Sequence, residues 1–127
     1  MNPTEGYTIR RFECPTKRVV QTLSLKDNPE LIAEYRRLHS KEYIWKEVLE
    51  GIRAVGILEM EIYICGNRLV MVLEIPSDFN WDKSMSKLAT LPRQAEWEDV
   101  VAKFQQALPG QSSSEKWQVM ERIFHLY

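Results

Sequence analysis

A tyrosine and a histidine lie one helical turn apart in the segment NPELIAEYRRLH, which runs from Asn28 to His39. Residues four apart share one face of a helix, so the side chains of Tyr35 and His39 are close enough to serve one small site. A histidine can give or take a proton near neutral pH, and a tyrosine offers a hydroxyl and an aromatic ring. This pairing is typical of proton transfer on a polar organic molecule. The alternative is that Tyr35 packs in the core and His39 is a partly solvated helix residue.

The composition narrows the classes of partner. The chain has 127 residues, the usual size of one compact domain, and an ordinary globular mix of side chains. Its 17 basic and 18 acidic residues give a net charge of −1, which does not favour nucleic acid or an anionic membrane as a partner. The sequence offers no apolar run long enough for a membrane span and no signal-peptide core, so we expect a cytoplasmic protein.

The two cysteines, Cys14 and Cys65, have no CxxC or CxxH spacing. We therefore expect free thiols rather than a zinc site, a redox motif or a disulfide. The sequence also lacks a glycine-rich phosphate loop and a clustered set of metal ligands. We expect the protein to use neither a metal nor another cofactor.

The elements that position the pair follow from hydrophobic periodicity and turn chemistry. Residues 1–16 are polar and are predicted to be a loose leader before a single domain at residues 17–127. A first strand is predicted at Arg18–Leu25. A helix follows, with Asn28 as its N-cap, and its pattern breaks between His39 and Ile44 before a second helical stripe that ends at a glycine.

The second half of the chain contains a strong hairpin signal. Gly66 and Asn67 form a two-residue connection between two strand-like runs. Two strands are predicted at Ile57–Cys65 and Arg68–Ile75, and two helices at Asp82–Ala89 and Gln94–Gln106. A loop at Leu108–Glu115 then leads to a last strand at Trp117–Leu126. The resulting β-α-β-β-α-β order predicts an α+β, ferredoxin-like fold with an antiparallel sheet and helices on one face.

The strand RLVMVLEI is apolar on both faces, whereas a sheet with one wet face should alternate between apolar and polar residues. One layer of helices covers only one face. We therefore expect the sheets of two subunits to pack face to face in a homodimer. Four charged residues within apolar strands would then lie in or near enclosed space and would need partners or line a polar pocket: Glu61, Glu74, Glu121 and Arg122.

Five ordered segments resemble the L-rhamnose mutarotase family, including its L-fucose mutarotase-like branch. They run from about residue 17 to residue 126 and read LSLKDNPELIAEYRRLH, WKEVLEGIRAVGI, MEIYICGNRLVMVLEI, LPRQAEWEDVVAKFQQALPG and EKWQVMERIFHL. The resemblance implies a ferredoxin-like dimer with an α+β barrel. It also implies a monosaccharide substrate, with interconversion of the α and β anomers of a free 6-deoxy-hexose.

The resemblance assigns roles to individual residues. The family's proton-donating histidine matches His39, its substrate-contacting tyrosine matches Tyr35, and the second residue of its paired-tryptophan segment matches Trp97. Glu96 stands where rhamnose-type members can carry the first tryptophan, and Met60 stands where they can place another substrate-contacting tyrosine. These departures make the chain look closer to the fucose-like branch.

Mutarotation delivers a proton to the ring oxygen of a pyranose and removes one from the anomeric hydroxyl. His39 is the best candidate for the acid, while the base is open among Tyr35, a strand carboxylate such as Glu61 or Glu121, and a bound water. Trp97 would present a flat apolar surface to the sugar or pack between helix and sheet. Two other classes stay open, because fold does not fix function: a small dimeric-barrel oxygenase or haem-binding protein, and a non-catalytic sugar-binding module.

Overall fold

The computed structural model describes residues 2–107, 111 and 113–127. The described residues contain four strands, which are β1 at Thr16–Ser24, β2 at Glu59–Cys65, β3 at Arg68–Pro76 and β4 at Gln118–Val119. Their helices are α1 at Pro29–Leu38, α2 at Lys46–Ala54, α3 at Trp81–Thr90, α4 at Gln94–Ala102 and the short α5 at Ser113–Lys116, after a 3-10 turn at Pro3–Glu5. All strand pairs are antiparallel, in the order β2-β3-β1-β4, which confirms the predicted ferredoxin-like α+β fold.

Local turn and cap chemistry sets the element boundaries much as predicted. The Asn28 side chain accepts the backbone N–H groups of Glu30 and Leu31 and begins α1. The helix stops at Leu38, and a non-helical connection leads to α2, so the predicted interruption is confirmed. Gly66 has a φ of 61° in the tight turn between β2 and β3, a conformation that favours glycine and confirms the hairpin.

The register of the central strand β3 divides the sheet into two different sides. Along β3, the alternate residues Leu69, Met71, Leu73 and Ile75 are buried on the side that carries the helices. Val70 and Val72 point to the other side, here called the open side, and are only half-buried. Val20 of β1 and Glu61 of β2 pair with Val72, so both also belong to the open side.

A close contact joins α2 to α4. The Gln94 amide nitrogen donates to the carbonyl oxygens of Glu47 at 3.1 Å and Val48 at 3.3 Å. It lies so near Gly51 that a Cβ at this glycine would overlap it. The absence of a side chain at Gly51 therefore allows a buried glutamine to tie the start of α4 to the backbone of α2.

Two predicted elements in the last quarter of the chain end differently in the structure. Helix α4 ends at Ala102 and not at Gln106. Gln105 forms an isolated bridge with Leu25, and the Gln106 N–H donates to the Ser24 carbonyl. The backbone here therefore bonds to the end of β1 and not within α4. Half of the predicted loop Leu108–Glu115 lies outside the described residues, and its last three residues belong to α5.

The prediction of a long last strand at Trp117–Leu126 was wrong for the single chain. Only Gln118 and Val119 pair with β1, and every residue from 120 to 127 is exposed. Apolar, β-branched residues favour an extended backbone, but a strand also needs a neighbour to receive its hydrogen bonds. In the part of the chain that the structure describes, no helix has the length and apolar character to cross a membrane.

Candidate active site

A cavity of about 460 Å³ lies between the sheet and its helices. Its volume falls within the range of small-molecule sites. The wall brings together all four residues that the sequence singled out, His39, Tyr35, Trp97 and Met60. Met60 comes from β2 on the helix-covered side, and the other three come from α1, from its C-terminal end and from α4.

The Tyr35 and His39 rings are in contact, with centroids 4.2 Å apart and planes inclined by 34°. The Nδ1 atom of His39 lies 2.7 Å from the Tyr35 carbonyl oxygen. A carbonyl oxygen only accepts hydrogen bonds, so Nδ1 carries a hydrogen and donates. The other ring nitrogen, Nε2, is left for a ligand, and it carries a lone pair while the ring is neutral.

Burial lowers the pKa of His39 below its ordinary value, and the hydrogen bond to the Tyr35 carbonyl opposes that shift. The neutral imidazole therefore dominates at neutral pH. Burial raises the pKa of Tyr35 to about 12, so its hydroxyl keeps its hydrogen under the same conditions. Before any reaction, the pair thus presents one proton acceptor and one proton donor.

Aromatic rings extend the site away from Tyr35. Trp97 contacts both His39 and Trp45 edge to face, each with a centroid separation of 5.2 Å. The Arg93 guanidinium lies 3.9 Å from the centroid of the Trp45 ring. Arg93 has a φ of 63°, which is strained for a residue with a side chain. Trp97 is buried yet borders the cavity, so it both packs in the core and presents a flat surface to the site.

A polar cluster that sequence reasoning missed lies on the same cavity beside Tyr35. Glu98 and Gln105 line the cavity, and the buried Lys116 joins them from α5. The Lys116 Nζ donates to Gln105 Oε1 at 2.7 Å and lies 2.8 Å from Glu98 Oε2. The Gln105 side chain is close enough to Tyr35 to oppose the rise in the tyrosine's pKa. The only sign of this cluster in the sequence was the position of Glu98 directly after the candidate residue Trp97.

The strand carboxylates suggested from sequence do not lie at this cavity within one chain. Glu61 pairs with Val72 on the open side of the sheet, behind the cavity. Glu121 is exposed beyond the end of β4. Among the residues that the structure describes, no three His, Cys, Asp or Glu side chains are grouped closely enough to hold a metal ion.

The N-terminal leader also reaches the cavity. Arg10 forms part of the cavity wall although it is largely exposed. Two contacts hold the leader on either side of it: the Tyr7 ring meets the Tyr63 ring at 5.8 Å, and the Pro15 carbonyl accepts the Ser77 N–H at 3.0 Å.

Known proteins resemble this chain in sequence over almost its whole length. The model of the L-rhamnose mutarotase family matches residues 18–126. The chain belongs to the L-rhamnose mutarotase family. Among similar proteins, the L-fucose mutarotase of Xanthomonas campestris pv. campestris is 38% identical over 110 residues, which cover 87% of this chain and 88% of that protein. A UPF0734 protein of Dictyostelium discoideum is 34% identical over 117 residues, covering 89% and 92% of the two chains.

Solved structures share the fold of this mutarotase family member. The L-rhamnose mutarotase FA22100 from Formosa agariphila superimposes with a TM-score of 0.65 at 20% identity, over 87% of this chain and 99% of that one. The tetracenomycin F2 cyclase of Streptomyces glaucescens, a type-II polyketide cyclase, gives a TM-score of 0.54 at 12% identity, over 87% and 96%. The family match begins at Arg18, so Arg10 is a cavity residue from outside it.

Proposed function

We propose that the protein is an isomerase, an aldose mutarotase that interconverts the α and β anomers of a free 6-deoxy-hexose of the L-fucose or L-rhamnose type. The family match and the L-fucose mutarotase relative support this reaction. The structural observation that carries the proposal is the Tyr35–His39 pair on a cavity of suitable size. It combines a proton acceptor and a proton donor, the two functions that ring opening requires.

In the proposed reaction, His39 acts at the anomeric hydroxyl. Its neutral Nε2 takes the hydroxyl proton while the bond between the anomeric carbon and the ring oxygen breaks, and the ring oxygen takes the hydrogen of the Tyr35 hydroxyl, which regains it when the ring recloses. The imidazolium that results is then an acid, and it returns the proton when the ring recloses on the other face. His39 is thus the acceptor during opening and the donor during closure, which is consistent with its lowered pKa.

The cavity wall suits a sugar that has both polar and apolar parts. Trp97 offers a ring face for the C–H surface of the sugar, and Met60 a soft apolar contact for its methyl group. Gln21, Glu98 and Gln105 offer donors and acceptors for its hydroxyl groups. Of the two sugars, we propose L-fucose as the preferred substrate, because the relative that is 38% identical to this chain is named an L-fucose mutarotase.

The test is exchange of sugar anomers measured by NMR magnetisation transfer, with L-fucose, L-rhamnose and D-glucose compared at the same concentration. We expect faster exchange of the first two sugars and little change for D-glucose. Binding of a sugar without faster exchange would identify a sugar-binding module instead. A Soret shift on addition of haem, again without faster exchange, would favour the oxygenase class.

We also propose that the protein works as a cytoplasmic homodimer whose two sheets meet on their open sides. Val20, Val70 and Val72 form a half-buried apolar surface there. The chain after β4 adds several exposed, large apolar side chains, namely Met120, Ile123, Phe124, Leu126 and Tyr127. Apolar surface of this kind usually marks an association site. Light scattering should give twice the 15.0 kDa of one chain, and a stable monomer at micromolar concentration would contradict the proposal.

A further inference from the structure

Gln21 is a buried amide in an otherwise apolar row of β1. On the helix-covered side of this strand, Gln21 lies between Val19 and Leu23, and it is only 4% exposed. It pairs with the buried Met71 of β3, which in turn pairs with Ile62 of β2. All three residues of this row, Gln21, Met71 and Ile62, line the cavity. A single amide therefore interrupts an apolar wall, where its burial is costly unless it is hydrogen-bonded.

The Gln21 side chain has no hydrogen-bond partner within the part of the chain that the structure describes. Its amide oxygen and nitrogen both keep some accessible surface. Because the residue is otherwise buried and lines the cavity, that surface faces the cavity. The amide is therefore placed to bond a molecule that enters the cavity, either water or a sugar hydroxyl that displaces it.

The other buried polar side chains among the described residues have partners in the chain itself. The Gln94 amide donates to two carbonyl groups of α2. Gln105 accepts a hydrogen bond from Lys116, which also pairs with Glu98. These contacts give each of the three buried side chains a structural reason to be polar. Gln21 has no such contact, so its polarity points to a ligand.

We propose that Gln21 binds a ring hydroxyl of the sugar and helps to determine which sugar the site accepts. The inference rests on the proposed mutarotase function and adds to it a substrate contact from the sheet. His39 and Tyr35 act from the end of α1 at the anomeric hydroxyl and the ring oxygen, which leaves the hydroxyls at C2, C3 and C4. An amide both donates and accepts, so it can bond a hydroxyl in either sense. L-fucose and L-rhamnose differ in configuration at C2 and C4, where one fixed amide can distinguish them.

The decisive variant is Gln21→Met, because it keeps the length of the side chain and removes both polar atoms. We expect it to raise KM for L-fucose about tenfold, the effect of one lost hydrogen bond, and to change kcat by less than about twofold. NMR exchange over a range of sugar concentrations gives both constants. An unchanged KM in the folded variant would overturn the proposal.

A cycle between the variant and altered sugars shows whether the lost contact is a hydroxyl contact. The altered sugars are three analogues of L-fucose that lack the hydroxyl at C2, at C3 or at C4. Gln21→Met should raise KM for L-fucose and for two of the analogues, and should have no effect on the analogue that lacks the bonded hydroxyl. The same rise in KM for all four sugars would mean that Gln21 binds no ring hydroxyl and would overturn the proposal.

Thermal unfolding separates a ligand contact from a structural role. Gln21→Met removes no hydrogen bond within the described chain, so its Tm without sugar should equal or exceed that of the parent. Gln94→Met is the contrasting variant, since it loses the two bonds to α2 and should unfold about 3 °C lower or more. A similar fall in Tm for Gln21→Met, together with an unchanged KM, would make Gln21 a structural residue.

A binding readout on the parent protein tests the contact without turnover. The side-chain amide signal of Gln21 in the ¹⁵N-labelled protein, assigned through its own side-chain carbons, should shift as L-fucose is added and should reach its limit at saturation. No shift at a saturating sugar concentration would overturn the proposal, even if anomer exchange is fast. A shift in a protein that exchanges no anomers would reject the mutarotase function and still establish Gln21 as a sugar ligand.

Discussion

The two sides of the sheet contain similar strand residues but differ in what the chain itself places over them. On the helix-covered side, Leu69, Leu73 and Ile75 are almost fully buried, and polar groups are gathered around one cavity. On the open side, Val70 and Val72 are only half-buried within one chain, and an Arg18–Glu74 ion pair at 2.9 Å lies near the end of the strands. The first side is built by one chain, and the second still needs a cover.

This difference separates chemistry from assembly in a way that substitutions can test. The two groups proposed to move protons, Tyr35 and His39, lie on α1 and at its C-terminal end and line the cavity on one side of the sheet. The surface proposed to bind a second chain lies on the other face. Changes on one side should therefore affect activity with the assembly intact, and changes on the other side should do the reverse.

The largest effect is expected from His39→Ala on the helix-covered side. Loss of the proton acceptor should lower kcat about 10²–10⁴-fold, the usual contribution of a positioned acid–base group. NMR exchange measures the loss, and circular dichroism and light scattering should show an unchanged fold and oligomer. His125→Ala is the matched control, because His125 is exposed beyond β4. Parent-like exchange by the folded His39 variant would show that another group takes the proton.

On the open side, Val72→Lys should break the proposed dimer. A charge placed at the centre of an apolar interface has no partner, so we expect dimer dissociation to be favoured by about 100-fold or more. Sedimentation across a concentration series gives the dissociation constant. Ala89→Lys on the exposed face of α3 is the control for added charge. A dimer as tight as the parent would place the subunit contact elsewhere.

The pH dependence of the activity tests the role of His39, which lies on the helix-covered side. The pKa of His39 is lowered by burial, and the neutral ring is the proposed working form. Activity should therefore be constant above that pKa and fall about tenfold per pH unit below it, with a midpoint under the ordinary value of about 6.5. Rates between pH 4.5 and 8, with and without EDTA, test this. A midpoint above 6.5, or loss of activity on chelation, would contradict a buried, metal-free acceptor.

The smallest effect is expected from Arg10→Ala, at the point where the leader reaches the cavity. A largely exposed guanidinium contributes modestly to binding, so KM should rise about threefold with kcat unchanged, the effect of a weak polar contact. Arg11→Ala is the matched control, because Arg11 is also exposed but does not line the cavity. Equal KM values for the two variants would remove Arg10 from the site.

The parts of the fold that were predictable from sequence are those set by neighbours in the chain. Asn28 and the glycine of the hairpin turn act within a few residues, and Tyr35 and His39 share a helix face by spacing alone. The end of α4 was not predictable, because Gln106 gives its N–H to Ser24, more than eighty residues away in the chain. The length of the last strand depends on a neighbour that one chain does not supply.

The distinction between near and distant residues also explains how much of the candidate site could be predicted. The spacing of Tyr35 and His39 and the family resemblance pointed to residues that the structure brings to one cavity. Lys116 and Gln105 gave no comparable signal, because their contact depends on how α5 returns to the end of α4. A polar residue within an apolar run does not by itself reveal which buried group it will meet.

Gly51 imposes a limit on how this sequence can diverge. A Cβ at this position would overlap the Gln94 amide, and that amide is tied to two carbonyl groups of α2. Neither residue can change alone without losing those hydrogen bonds or forcing the helices apart. Among related sequences, a larger residue at Gly51 should therefore appear together with a shorter one at Gln94, as a covarying pair some forty positions apart in the chain.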